Sequence, residues 1–117
     1  MTEYTKVVYN ACYGGFGLSG KAIEMYLTLK GFAFTIDKPS YGYNTYTVEG
    51  WEDFTPYKID RTDPVLALVV ETLGGKANGR CAELRIKKLR KGILYRITEY
   101  DGYERIETND NVDWKVA

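Results

Sequence analysis

The chain contains no histidine. That removes the commonest general base, any Cys–His nucleophile pair and the imidazole ligands that zinc sites favour. Its two cysteines, Cys12 and Cys81, stand far apart and outside any CxxC spacing, which argues against a disulfide framework and for free thiols in a reducing compartment. No EF-hand or paired-carboxylate spacing is present, so neither a metal nor a cofactor is expected. Long apolar runs are missing as well: nothing approaches the roughly 18 residues of a membrane span, and Met1 to Lys6 do not read as a signal peptide. Nor does one sign of charge dominate. Sixteen Lys and Arg balance sixteen Asp and Glu, so the electrostatic footprint of non-specific nucleic-acid binding is absent.

What remains is an ordinary globular composition, with 44% hydrophobic and 27% charged residues over 117 positions. That length fits one domain, 1–117, with one core. Val7 and Val8 between Tyr4 and Tyr9 read as a strand that stops at Asn10 and enters a glycine-rich loop. Ser19 is placed to cap a helix over 19–30, Leu18 and Ile23 have the spacing of a hydrophobic staple, and Gly31 supplies the stop. Phe32 to Ile36 suit a strand. The stretch 37–61 has no sustained period and reads as an irregular excursion whose Tyr41, Tyr43, Tyr46, Trp51, Phe54 and Tyr57 must pack on the domain, a ligand or another subunit.

Asp63 followed by Pro64 opens a second helix, with Leu66, Val69, Val70 and Leu73 on one face and Gly74-Gly75 ending it. Leu84 to Lys87 and Ile93 to Ile97 alternate as strands, and Asp101-Gly102 is the preferred dipeptide of a type I′ hairpin into Tyr103 to Glu107, so the last third reads as a meander. This order predicts an α+β fold, a mostly antiparallel sheet with two helices packed on one face.

Two places could carry chemistry. The segment Asn10-Ala11-Cys12-Tyr13-Gly14-Gly15-Phe16-Gly17-Leu18-Ser19 ends a strand and feeds a helix N-terminus, where free backbone N–H groups and the helix dipole favour phosphate or carboxylate. It matches neither GxxxxGK[ST] nor GxGxxG. The bland alternative is that its glycines serve turns and that Tyr13 and Phe16 serve the core. Arg61-Thr62-Asp63-Pro64 sets a guanidinium beside the second helix N-terminus, either for an anion or for a salt bridge to a neighbouring acid. Asn10, Cys12, Tyr13, Gly14, Gly15, Phe16, Ser19 and Arg61 are therefore the candidate ligand-binding residues. No catalytic residue is assigned: Cys12 lacks a partner base, and Glu99 and Asp101 are candidates only as carboxylates. The cluster Lys87, Lys88, Arg90 and Lys91 reads as a solvated strand end, with anion contact as its alternative.

Tyr9 to Ser19, Arg61 to Pro64, Val69 to Gly74, Ala77-Asn78-Gly79 and Glu99 to Gly102 together resemble a family of small uncharacterised proteins of tailed bacteriophages and large DNA viruses. The likeness covers the first thirty and last sixty residues. Members often end in a basic, aromatic tail with histidine after the Tyr-Asp-Gly turn, whereas this chain ends Asn111-Val112-Asp113-Trp114-Lys115-Val116-Ala117. The resemblance implies a viral accessory protein of the host cytoplasm, with blunting of host immunity by sequestering a nucleotide-derived messenger as the associated role. The leading expectation is a non-enzymatic binder of a phosphate-bearing small molecule, with no nucleic-acid or membrane partner and with self-association into a homo-oligomer. A protein-binding module that inhibits a host protein is the alternative, and a small nucleotide- or metabolite-processing enzyme the second.

Overall fold

The computed structural model describes residues 4–37 and 45–108. Along the chain run β1 (Tyr4–Asn10), α1 (Gly20–Lys30), β2 (Phe34–Asp37), β3 (Thr45–Val48), α2 (Pro64–Leu73), β4 (Leu84–Arg90), β5 (Tyr95–Tyr100) and β6 (Tyr103–Thr108), with short 3₁₀ turns at Pro56–Lys58 and Gly74–Ala77. The fold is α+β and its strands pair antiparallel.

Both helices begin and end where the sequence chemistry places them. Ser19, in extended conformation, accepts the Ala22 N–H, and Gly31 closes α1 as its N–H and that of Phe32 reach back to the carbonyls of Thr28 and Leu27. Asp63 accepts the Val65 N–H and Pro64 occupies the first helical position of α2. Ala22, Ile23, Tyr26 and Leu27 of α1 and Leu66, Ala67, Val69 and Val70 of α2 form the buried faces. They share one cluster with Val8 of β1, against which Ile86 of β4 packs from the opposing register position. The helices thus cover one face of the β1–β4 ladder. Fully burying a side chain such as Leu27 or Leu66 contributes about 1.5–3 kcal/mol.

The strands do not run as one sheet. Among the described residues they form three two-stranded ladders, β1–β4, β2–β3 and β5–β6. The expected meander is corrected here, because β4 pairs with β1, from Tyr4 opposite Arg90 to Asn10 opposite Leu84, rather than with β5. Asp101 and Gly102 turn β5 into β6 with φ of 51° and 87°, the left-handed pair a type I′ turn requires.

The excursion is also more regular than its composition suggests. Thr45–Val48 returns to pair with β2, and Trp51 and Phe54 stack edge to face at 4.8 Å, with Trp51 also against Phe32 at 5.6 Å. Its aromatics are therefore largely part of the core wall. Tyr41 and Tyr43 lie outside the described residues. Among the described residues no helix is long and apolar enough to cross a membrane.

Candidate functional site

The glycine loop after β1 is held from three directions by Asn10. That residue is fully buried, and its side-chain amide donates to the carbonyls of Cys12 and Gly102 at 2.7 and 2.8 Å while its carbonyl oxygen accepts the Glu83 N–H at 2.8 Å. The first braces the loop internally, and the other two tie it to the hairpin turn and to the residue before β4. Asn10 is therefore a positioning residue, with its polar atoms turned inward rather than toward a ligand.

Arg61 lies beside the loop, its guanidinium carbon 3.5 Å from the centre of the buried Phe16 ring. Its fork faces Glu104: Nη1 and Nη2 donate to the two carboxylate oxygens at 2.7 and 2.9 Å, and Nη1 also reaches the Val8 carbonyl at 3.3 Å. Glu104 is itself only 7% exposed and accepts the Asn10 N–H at 2.8 Å. The salt-bridge alternative weighed for Arg61 is thus what the structure contains, and the acid is 43 residues away in sequence. Arg61 adjoins the candidate loop but presents its planar fork to the hairpin.

The rest of the loop opens on a groove of about 520 Å³. One wall is Gly14, Gly15, Phe16 and Gly17 with Gly20 at the start of α1; the other is Thr45, Tyr46 and Phe54 to Tyr57, and Gly79, Arg80 and Cys81 close the end. The rims approach closely where Gly79 crosses Gly17, their backbones joined by a 2.9 Å N–H to carbonyl bond and no room left for a Cβ at Gly79. The Ala22 N–H is capped by Ser19, whose hydroxyl also donates to the Lys76 carbonyl at 2.6 Å, so Ser19 holds the helix start without lining the groove. Tyr57 is 69% exposed, 6.3 Å from Phe16 ring to ring, and offers a stacking face. Among the described residues the lining contains one arginine and no carboxylate, and the Glu24 carboxylate stands just behind it, accepting from the Tyr46 hydroxyl at 3.1 Å.

Tyr13 points away from this groove. It is 61% exposed and packs on Tyr103 at 5.2 Å, where Tyr9, Tyr100 and the β5–β6 surface border a second, open concavity of about 750 Å³. Cys12 is half-buried and lines neither concavity.

Of the residues singled out from sequence, Gly14, Gly15 and Phe16 share the groove; Asn10, Ser19 and Arg61 hold its frame; Tyr13 and Cys12 lie elsewhere. Sequence reasoning missed Arg80 and Cys81 as its lining, and it left open whether Tyr46 and Tyr57 pack on the domain, a ligand or another subunit. The Asn78-Gly79 pair beside Arg80 was the available signal, since Asn78 accepts the Leu84 N–H at 2.8 Å and so shapes the approach to Gly17.

No protein-family model, curated protein or solved structure matches the chain.

Proposed function

We propose that this protein is a non-enzymatic binder of a phosphate-bearing small molecule held in the groove between the glycine loop and the Tyr46–Tyr57 wall. One observation carries the reading: a groove of about 520 Å³, in the size range of small-molecule sites, is lined among the described residues by the backbone of five glycines, one arginine and the exposed ring of Tyr57. Phosphate oxygens would meet the groove backbone from Phe16 to Gly20 at the positive end of α1, while a planar base would lie on Tyr57. Among the described lining residues Cys81 is the one thiol, with no carboxylate beside it, and we read the groove as a binding site. Together with the resemblance to viral proteins, this favours an accessory protein that sequesters a nucleotide-derived immune signal in the host cytoplasm.

The test is a thermal-shift screen against cyclic di- and trinucleotides, NAD, ADP-ribose derivatives and nucleoside phosphates. A ligand at a hundredfold its dissociation constant adds about 2.7 kcal/mol and raises the melting temperature by several degrees. It should also shield the exposed Cys81 from alkylation and be recovered intact. A flat screen, or a hit that leaves Cys81 equally reactive, rejects the reading.

The second reading, a protein-binding module, is favoured by a different surface. Tyr13, Tyr100 and Tyr103, at 61%, 77% and 36% exposure, gather on the hairpin side around the open concavity. Loss of a co-purifying host protein on Tyr100→Ser, with the groove intact, would mark that role.

A further inference from the structure

The β5–β6 hairpin poses an unanswered structural question. A two-stranded ladder is marginal in water without a third strand or a packed face. This one joins the body mainly through β6, by the Glu104 ion pair and the contact of β6 with β1. Among the described residues β5 pairs with β6 and with no other strand.

Edge strands are normally guarded by charge, proline or a bulge. The outer strand β4 is guarded, since Arg85, Lys87, Lys88 and Arg90 all lie within its seven residues. The free edge of β1 is occupied, because the Val8 N–H donates to Arg61 and the Asn10 N–H to Glu104. β5 has neither protection. Tyr95-Arg96-Ile97-Thr98-Glu99-Tyr100 carries no proline and no lysine, and its one cation and one anion cancel.

We infer that β5 is the interface for a second copy of this chain, paired antiparallel to itself about a two-fold axis at Ile97. The two-residue turn makes Tyr100 and Tyr103 a hydrogen-bonded pair, so the N–H and C=O groups of Tyr95, Ile97 and Glu99 point outward. Antiparallel pairing about an axis normal to the sheet sets residues of one face opposite each other. Centred on Ile97, it places Ile97 against Ile97 of the second copy, Tyr95 against Glu99, and Arg96 against Thr98. The register is self-complementary in polarity: apolar meets apolar, a phenol meets a carboxylate, and a cation meets a hydroxyl.

Ile97 already opposes Ile106 within the hairpin, and both are half-buried. The pairing therefore makes a row of four isoleucines across a four-stranded sheet and supplies the partner strand that the hairpin lacks. One short strand per copy is a small interface, so the dimer belongs to the weak class. The interface is independent of the groove and of any ligand in it.

The test uses the full chain, by sedimentation and by amide hydrogen exchange, between about 10 μM and about 1 mM, a range that brackets a dissociation constant of tens to hundreds of micromolar. A monomer–dimer equilibrium should appear. Exchange at Tyr95, Ile97 and Glu99 should slow as the dimer forms, while Arg96 and Thr98, already bonded to β6, stay unchanged. Thr98→Lys, which sets an ammonium opposite Arg96 of the second copy beside its own Glu107, should weaken association at least tenfold and leave the hairpin folded by the same exchange measurement. A monomer throughout the range overturns the inference, as does a dimer indifferent to Thr98→Lys or one that leaves exchange at Ile97 and Glu99 untouched.

Discussion

Glu104 is the residue on which the two ends of the fold depend, because one carboxylate receives the Arg61 fork and the Asn10 backbone N–H together. Breaking one partner of a buried, hydrogen-bonded ion pair leaves the other charge uncompensated, at a cost of about 3–5 kcal/mol. With the Arg61 side chain 18% exposed, Glu104→Gln should cost about 3 kcal/mol and lower the melting temperature by about 10 °C, read by thermal denaturation. Tyr26 and Asp63 make a second linked pair, the phenol donating to the carboxylate at 2.6 Å with Lys30 3.3 Å away. Burial, and then Asp63, push the Tyr26 hydroxyl well above its ordinary value. Burial pushes the Asp63 carboxyl up, but the Tyr26 and Val65 hydrogen bonds and Lys30 outweigh it and hold it below the usual range. The signs follow from linkage. Asp63 stabilises the fold above about pH 4, and that stability fades as pH falls through its lower native value; Tyr26 stabilises it below about pH 10, and that stability fades as pH rises toward its higher native value. Unfolding free energy measured against pH should therefore drop on both limbs, with Asp63→Asn flattening the acid limb and Tyr26→Phe the alkaline one. Neither pairing was legible in sequence. Arg61 and Tyr26 each find their acid across a long loop, and no local spacing encodes a partner that only the tertiary fold brings near.

At the scale of elements, legibility tracked local chemistry. Ser19, Asp63-Pro64, Gly31 and Asp101-Gly102 declare caps and turns within a few residues, so α1, α2 and the β5–β6 turn could be read directly. β3 escaped because four residues between glycines and aromatics offer too little alternation, and its stability comes from pairing with β2. The β1–β4 ladder escaped for another reason: strand partners 74 residues apart, Asn10 and Leu84, leave no trace in periodicity. The turn itself yields a prediction. Gly102 has φ of 87°, and a methyl there would overlap the backbone nitrogen of Gly15 in the seated loop. Gly102→Ala should thus destabilise by at least about 2 kcal/mol, more than the same change at Gly92, which has φ of 88° and open space around it. Chemical denaturation of the two variants side by side separates the seat from the dihedral.

For the whole molecule, the candidate site was half visible. The loop Gly14 to Gly17 was marked by its glycines, but the opposite wall came from the excursion and from Arg80, and no pattern in the chain announces that these meet. If the groove binds an anion, Arg80→Gln should reduce the ligand-induced thermal shift by more than it changes the melting temperature of the free protein. Tyr57→Leu should weaken binding by about 1–3 kcal/mol for a stacked base, measured by calorimetry.

The seat of the hairpin on the glycine loop also sets an order of events. The Asn10 side chain reaches a carbonyl 92 positions further along, and the Gly14 N–H rests on the carbonyl of Asp101. Contacts of such separation close late, because the entropy of the intervening chain must be overcome first. During synthesis the helices and the first ladder can assemble while the loop still lacks its clasp. The groove acquires its final outline only when the hairpin has emerged and docked, so a nascent chain holds every groove-lining residue before it holds the groove.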